Sequence, residues 1–273
     1  MTTELIEASV IAKPPLMPAN RNIIAVASGN AGVGKTWFAI TLAHALAYAG
    51  RKVLLFDGDL NLANVRLHLG LRARGDIAAV ISGETKLADL VIPYDGGAGC
   101  NGFDIIAGRS DSEALANPTE AMVVKLRNDL HTLSRDYDWV VMDLGAGIDR
   151  SARLLAATAR TCLVTTTAEM AAVTETYAYI KMTARENFPE AVRIVINKAP
   201  TIKQGQIVYD ALFRACRKFL KVEPPLAGIV RRDNLVMESL LLKDALLSYD
   251  QNSNAAREIE QIARRLDKDL RVR

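Results

Sequence analysis

The sequence predicts an α/β fold: a doubly wound, mostly parallel sheet of about seven or eight strands flanked by helices. Three observations carry this reading. Short, uninterrupted apolar runs recur along the chain, as strands covered on both faces require. Long helical patterns separate those runs. A glycine-rich turn, Gly29 to Thr36, joins the first run to the first helical pattern, and in such sheets ligands bind at the carboxyl ends of strands.

The runs come in order as "NIIAVAS" (22–28), "KVLLFD" (52–57), "FDIIAG" (103–108), "DWVVMD" (138–143), "CLVTTT" (162–167), "RIVINK" (193–198) and "LAGIV" (226–230). The first helix, Trp37 to Ala49, is rich in alanine and leucine and stops at Gly50. The final helix, Asn254 to Arg273, carries apolar residues three and four apart. A length of 273 residues suits one nucleotide-binding domain over 21–273, ending in that amphipathic helix. Residues 1–20 hold Glu4, Glu7, Pro14, Pro15 and Pro18 with no apolar core, which predicts a flexible leader and no secretory signal.

Bulk properties exclude several classes. A net charge of +3 is too small to argue for nucleic acid alone. Cys100, Cys162 and Cys216 lie far apart with no CxxC pair, which predicts a reducing cytoplasm and no disulfide framework. An iron–sulfur cluster bridged by cysteines across a dimer is not expected, because Cys100 and Cys162 do not sit in the places it needs and Cys162 falls inside an apolar run. No apolar run reaches the roughly 18 residues of a spanning helix.

Chemistry concentrates in the turn. Gly29-x4-Gly34-Lys35-Thr36 follows a strand and opens a helix, the context that marks a phosphate loop. Glycines 29, 32 and 34 let the backbone aim N–H groups inward, and the helix N-terminus adds partial positive charge. Lys35 should reach the β- and γ-phosphates, and the Thr36 hydroxyl should ligate Mg²⁺. Phosphate chemistry also needs acids near the metal. Asp143 closes one apolar strand; Asp57 closes another, with Asp59 two residues on.

Together, "SGNAGVGKT", "DGDLNLANV" and "DWVVMDLGAGI" resemble the MinD/ParA group of deviant-Walker P-loop ATPases. The resemblance runs from about Asn22 to the C-terminal helix. Within the group the chain is most similar to FlhG (also called FleN), the regulators of flagellar number and placement, through "DGDLNLANVRLHLGL", "ISGE", "FDIIAG", "LGAGID" and "LLSYDQNSNAA". The resemblance implies ATP or ADP with Mg²⁺ in a pocket formed by Gly29, Asn30, Ala31, Gly32, Val33, Gly34, Lys35, Thr36 and Trp37. It assigns the attacking water to Asp59, Mg²⁺ to Thr36 directly and to Asp57 and Asp143 through water, and water and dimer contacts to Asn64. It gives adenine to Asn197 and places Arg231 beside the base. It further implies a homodimer on ATP binding, a protein partner such as an FlhF-like GTPase or a flagellar component, and release by hydrolysis.

The chain departs from the pattern. Asn30 stands where the group carries a lysine that crosses the dimer, a charge of the kind worth ~10³–10⁵ in rate. Trp37 replaces a hydroxyl residue, Arg231 replaces a proline, and no FlhF-activating motif is visible in residues 1–20. Two readings follow. Either this is a slow ATPase in which Arg66 or Arg150 supplies the missing cation, or it is a nucleotide-binding adaptor without hydrolysis. Retention of Asp59 favours the first.

Surfaces leave alternatives open as well. Ala256, Ile259, Ala263, Leu266 and Leu270 form one stripe on the last helix, with Arg264, Arg265, Lys268, Arg271 and Arg273 nearby. Such a helix either packs on its own domain or rests on an anionic membrane from the cytoplasmic side. Arg214, Arg217, Lys218 and Lys221 form a basic run, a solvated face or the DNA contact of a ParA-type partition ATPase. His44 reads as structural, and His68 and His131 lack a metal motif.

Overall fold

The computed structural model describes residues 20–97, 101–108, 115, 118–185 and 191–271; residues 1–19 of the expected leader, Cys100 and Arg273 lie outside them. The strands are β1 (Asn20–Ser28), β2 (Val53–Gly58), β3 (Ile92–Tyr94), β4 (Phe103–Ile106), β5 (Trp139–Ala146), β6 (Ala159–Thr166), β7 (Val192–Ala199) and β8 (Leu226–Arg231). They form one sheet in the order β3-β4-β2-β5-β1-β6-β7-β8. Every neighbouring pair is parallel except β3–β4. All seven apolar runs become strands. The eighth, β3, is three residues long and contains Pro93, which an edge strand tolerates.

Helices fill both faces: α1 (Lys35–Tyr48), α2 (Val65–His68), α3 (Ile77–Ser82), α4 (Glu120–Leu133), α5 (Arg150–Ala156), α6 (Met170–Arg185), α7 (Ile202–Ala215), α8 (Asn234–Leu242), α9 (Leu246–Tyr249) and α10 (Asn254–Arg271). β1 shows how the faces divide. Ile23, Ala25 and Ala27 join a core with Ile77, Leu126, Leu155, Ile180 and Leu212 from α3 to α7. Ile24 and Val26 point the other way, to Phe38, Leu42 and Leu46 of α1 and Ile259, Ile262 and Leu266 of α10. The period of two along a strand makes this split.

α1 is buried from Trp37 to Ala47. A helix that is apolar all round must be enclosed, and here it lies between the sheet and α10. This settles the amphipathic stripe. Ala256, Ile259, Ala263, Leu266 and Leu270 are all buried, packed on α1 and β8. The membrane contact expected as an alternative for that stripe is therefore corrected: the apolar face is core. Polar contacts hold it there. Asp267 accepts from Arg51 Nε at 3.1 Å and Nη2 at 2.7 Å, and from Trp139 Nε1 at 2.9 Å. Arg193 of β7 pairs with Asp269. Among the described residues no helix is long and apolar enough to cross a membrane. The basic run ends α7 and the wider turn after it; Arg214, Arg217, Lys218 and Lys221 are exposed, and Arg217 pairs with Glu223.

Candidate nucleotide site

β1, β2 and β5 lie side by side, so their carboxyl ends converge. A cavity of about 520 Å³ opens there, lined by residues 30–37, Asp59, Leu62, Asn64, His68, Gly145 and Asp149 among others. The loop before α1 forms its floor. Gly32 and Gly34 adopt φ 79° and 88°, a region costly for other residues. Gly29 is required for another reason: a Cβ there would stand 2.3 Å from the carbonyl oxygen of Glu175 in α6. Ser28 Oγ donates to the Asn30 carbonyl at 2.7 Å and closes the turn.

The acids gather beneath the loop. Asp57 and Asp143 face each other in register on β2 and β5, and both are fully buried. Lys35 Nζ donates to Asp143 Oδ1 at 2.8 Å, while Asp143 Oδ2 is buried with no partner. Asp57 Oδ2 accepts the Val65 N–H at 3.1 Å. Burial pushes the Asp57 carboxyl up to about 8, the Asp143 charge adding to the rise against the Val65 hydrogen bond. Two buried carboxyls thus lie near one ammonium, and desolvation with the Asp143 charge favours the protonated form of Asp57. Asp59 is placed differently. It lines the cavity, its Oδ1 accepts the Leu62 N–H at 2.9 Å, and a Cβ on Gly145 would lie 3.4 Å from that oxygen.

Magnesium fits this arrangement. It takes one or two carboxylates with phosphate oxygens and water; the orphaned Asp143 oxygen and the poorly solvated Asp57 are such a pair, with Thr36 in the wall. Among the described residues no group of three or more His, Cys, Asp or Glu forms an all-protein metal cage.

The structure brings Asn30 to Trp37, Asp59 and Asn64 to the cavity wall and sets Asp57 and Asp143 behind it. Trp37 is 5 % exposed, with its indole N–H unpartnered. Two residues that the resemblance assigns to the base have partners within the protein. Asn197 is buried behind the loop, where its Nδ2 donates to the Val33 carbonyl at 2.8 Å. The Arg231 guanidinium is held by Glu258 and Asn254 of α10. Of the candidate substitute cations, Arg66 stands on α2 and Arg150 pairs with Glu120 at 2.7 Å. His68 was not expected, yet it lines the cavity, and burial pulls its pKa down. Its spacing of four residues from Asn64, one helical turn, is the signal that finds it.

Fold and cavity define a P-loop nucleotide-binding protein of the MinD/ParA kind. Residues 21–266 match the family described as cellulose biosynthesis protein BcsQ. The antiactivator FleN of Pseudomonas aeruginosa is 29% identical over 245 residues, 90% of this chain and 86% of that protein. The flagellum site-determining protein YlxH of Helicobacter pylori is 27% identical, covering 89% of this chain and 81% of that one. Among solved structures, the septum site-determining protein MinD of Pyrococcus horikoshii, complexed with Mg-ADP, superposes with a TM-score of 0.74 at 25% identity, covering 92% of this chain and 98% of that one. The chain belongs to the BcsQ family, within the MinD/ParA group of ATPases, and is FlhG-like in sequence.

Proposed function

We propose that this protein is an ATP-binding dimerisation switch that hydrolyses ATP slowly and regulates the number or placement of a bacterial structure. The observation that carries the reading is the mouth of the cavity. Leu62, 66 % exposed, lies in its wall, and Ile148, 50 % exposed, precedes the lining residue Asp149. Exposed apolar residues beside a charged phosphate site suit a surface that a second copy covers once nucleotide fills it. Lys35 Nζ donates to Asp143. Phosphate would draw it away, and Asp143 and Asp57 would then face the hydrated Mg²⁺. The ion would supply charge neutralisation at the β- and γ-phosphates. Asp59 lines the cavity and accepts the Leu62 N–H, which supports its reading as the residue that orients a water.

The similarity to FleN and YlxH favours the flagellum as the structure regulated and a flagellar GTPase or component as the partner. The name of the matched family favours a second reading, the cellulose-synthesis apparatus. Sedimentation with ADP, ATP and a slowly hydrolysed analogue tests the switch. Mass should double only with a triphosphate, and an unchanged mass in all three refutes it. Single-turnover hydrolysis beside Asp59→Ala tests the chemistry: equal rates at background replace the ATPase reading with a nucleotide-binding adaptor.

A further inference from the structure

β7 is irregular near its carboxyl end, at Asn197 and Lys198. Its register with β8 shifts between Ile196 and Ala199, and Lys198 adopts φ 53°. A lysine in the left-handed region persists only where its surroundings hold it, and such irregularities re-aim side chains. Here both side chains are aimed at the phosphate loop. Asn197 Nδ2 donates to the Val33 carbonyl at 2.8 Å, and Asn197 Oδ1 accepts the Lys198 N–H at 2.9 Å. Lys198 Nζ donates to the Gly32 carbonyl at 2.7 Å. Both pass close over Gly34, where a Cβ would stand 2.7 Å from Asn197 Nδ2 and 3.4 Å from Lys198 Cε. Neither residue lines the cavity.

A loop that points its N–H groups at phosphate must turn its carbonyls outward, where they need donors. Asn197 and Lys198 supply donors to two successive carbonyls. A donor on a carbonyl also polarises the peptide and strengthens the N–H at its other end. For the Gly32 and Val33 carbonyls those N–H groups belong to Val33 and Gly34, within the phosphate-binding turn. We propose that Asn197 and Lys198 brace the phosphate loop from behind, and that Lys198 is a positioning residue for the polyphosphate. It brings an ammonium to a loop whose own position 30 carries none.

This rests on the nucleotide-binding reading, and the experiment separates the two. Calorimetric titration of the full chain with Mg·ATP, Mg·ADP and Mg·GTP compares wild type, Lys198→Gly and Lys198→Arg. Glycine relaxes the left-handed backbone while deleting the ammonium. Lys198→Gly should therefore hold or raise the melting temperature of the nucleotide-free protein, yet weaken ATP and ADP about tenfold alike, the scale of a charged hydrogen bond. The preference for ATP over GTP should stay unchanged, and Lys198→Arg should keep most of the affinity. Unchanged affinity in Lys198→Gly overturns the brace. So does a parallel loss of stability and affinity, which marks a merely structural residue, or an altered base preference, which assigns Lys198 to the base. If wild type binds no nucleotide, the functional reading fails first and the brace with it.

Discussion

Replacing Lys35 with methionine isolates the electrostatics of the buried Lys35–Asp143 pair. The ammonium lies 2.8 Å from Asp143, with side-chain exposures of 8% and 0%. Methionine keeps the length and apolar stem of lysine, so the loss in packing stays below about 1.5 kcal/mol. What disappears is the ammonium paired with Asp143, which lies beside a second buried carboxyl, Asp57. Breaking a buried pair from one side costs about 3–5 kcal/mol. The double variant Lys35→Met/Asp143→Asn removes both charges and should recover all but about 1–2 kcal/mol of that loss. Asp143→Asn alone should cost less than Lys35→Met, because Asp57 can then ionise and take the lysine. Urea unfolding without nucleotide at pH 7.5 measures all four proteins. The deficit of Lys35→Met should shrink at pH 5, since an unpaired buried carboxylate takes up a proton as pH falls. If Lys35→Met unfolds with wild type, or the double variant is no better than the single, the pair is not what neutralises Asp143.

Three further outcomes follow from particular contacts. His44 is buried beside Tyr94 and Phe103, and burial pulls its pKa to about 4, against the raising charge of Asp244. The folded protein keeps it neutral while the unfolded chain protonates from about 6.5 downward, so stability should fall by roughly 2–3 kcal/mol between pH 7 and 4; melting curves of His44→Leu should lack this part of the acid limb. Asn30→Lys should raise single-turnover ATP hydrolysis toward the ~10³-fold effect of a crosswise cation, and an unchanged rate places that cation elsewhere. Asp267→Asn weakens the three hydrogen bonds that tie α10 to Arg51 and Trp139, and should cost about 1.5–3 kcal/mol by thermal unfolding.

The features legible from the residues are those whose physics is local. Seven strands could be read because a strand buried on both faces must be apolar along its length. The phosphate loop could be read because its glycines, strand and helix N-terminus are consecutive in the chain. β3 could not: three residues around a proline at a sheet edge carry too little pattern. What only the tertiary structure decided are the partners. The spacing of Ala256, Ile259, Ala263, Leu266 and Leu270 is the same whether the stripe meets lipid or protein, and α1 and β8 made it core. Lys35 meets Asp143 across 108 residues and Asn197 meets Val33 across 164. Such contacts leave no trace in local periodicity, because the sheet order β2-β5-β1-β6-β7 creates them. The residues around "SGNAGVGKT" therefore identify a site for phosphate by themselves, while the charge balance inside it and the brace behind it exist only once the sheet has closed.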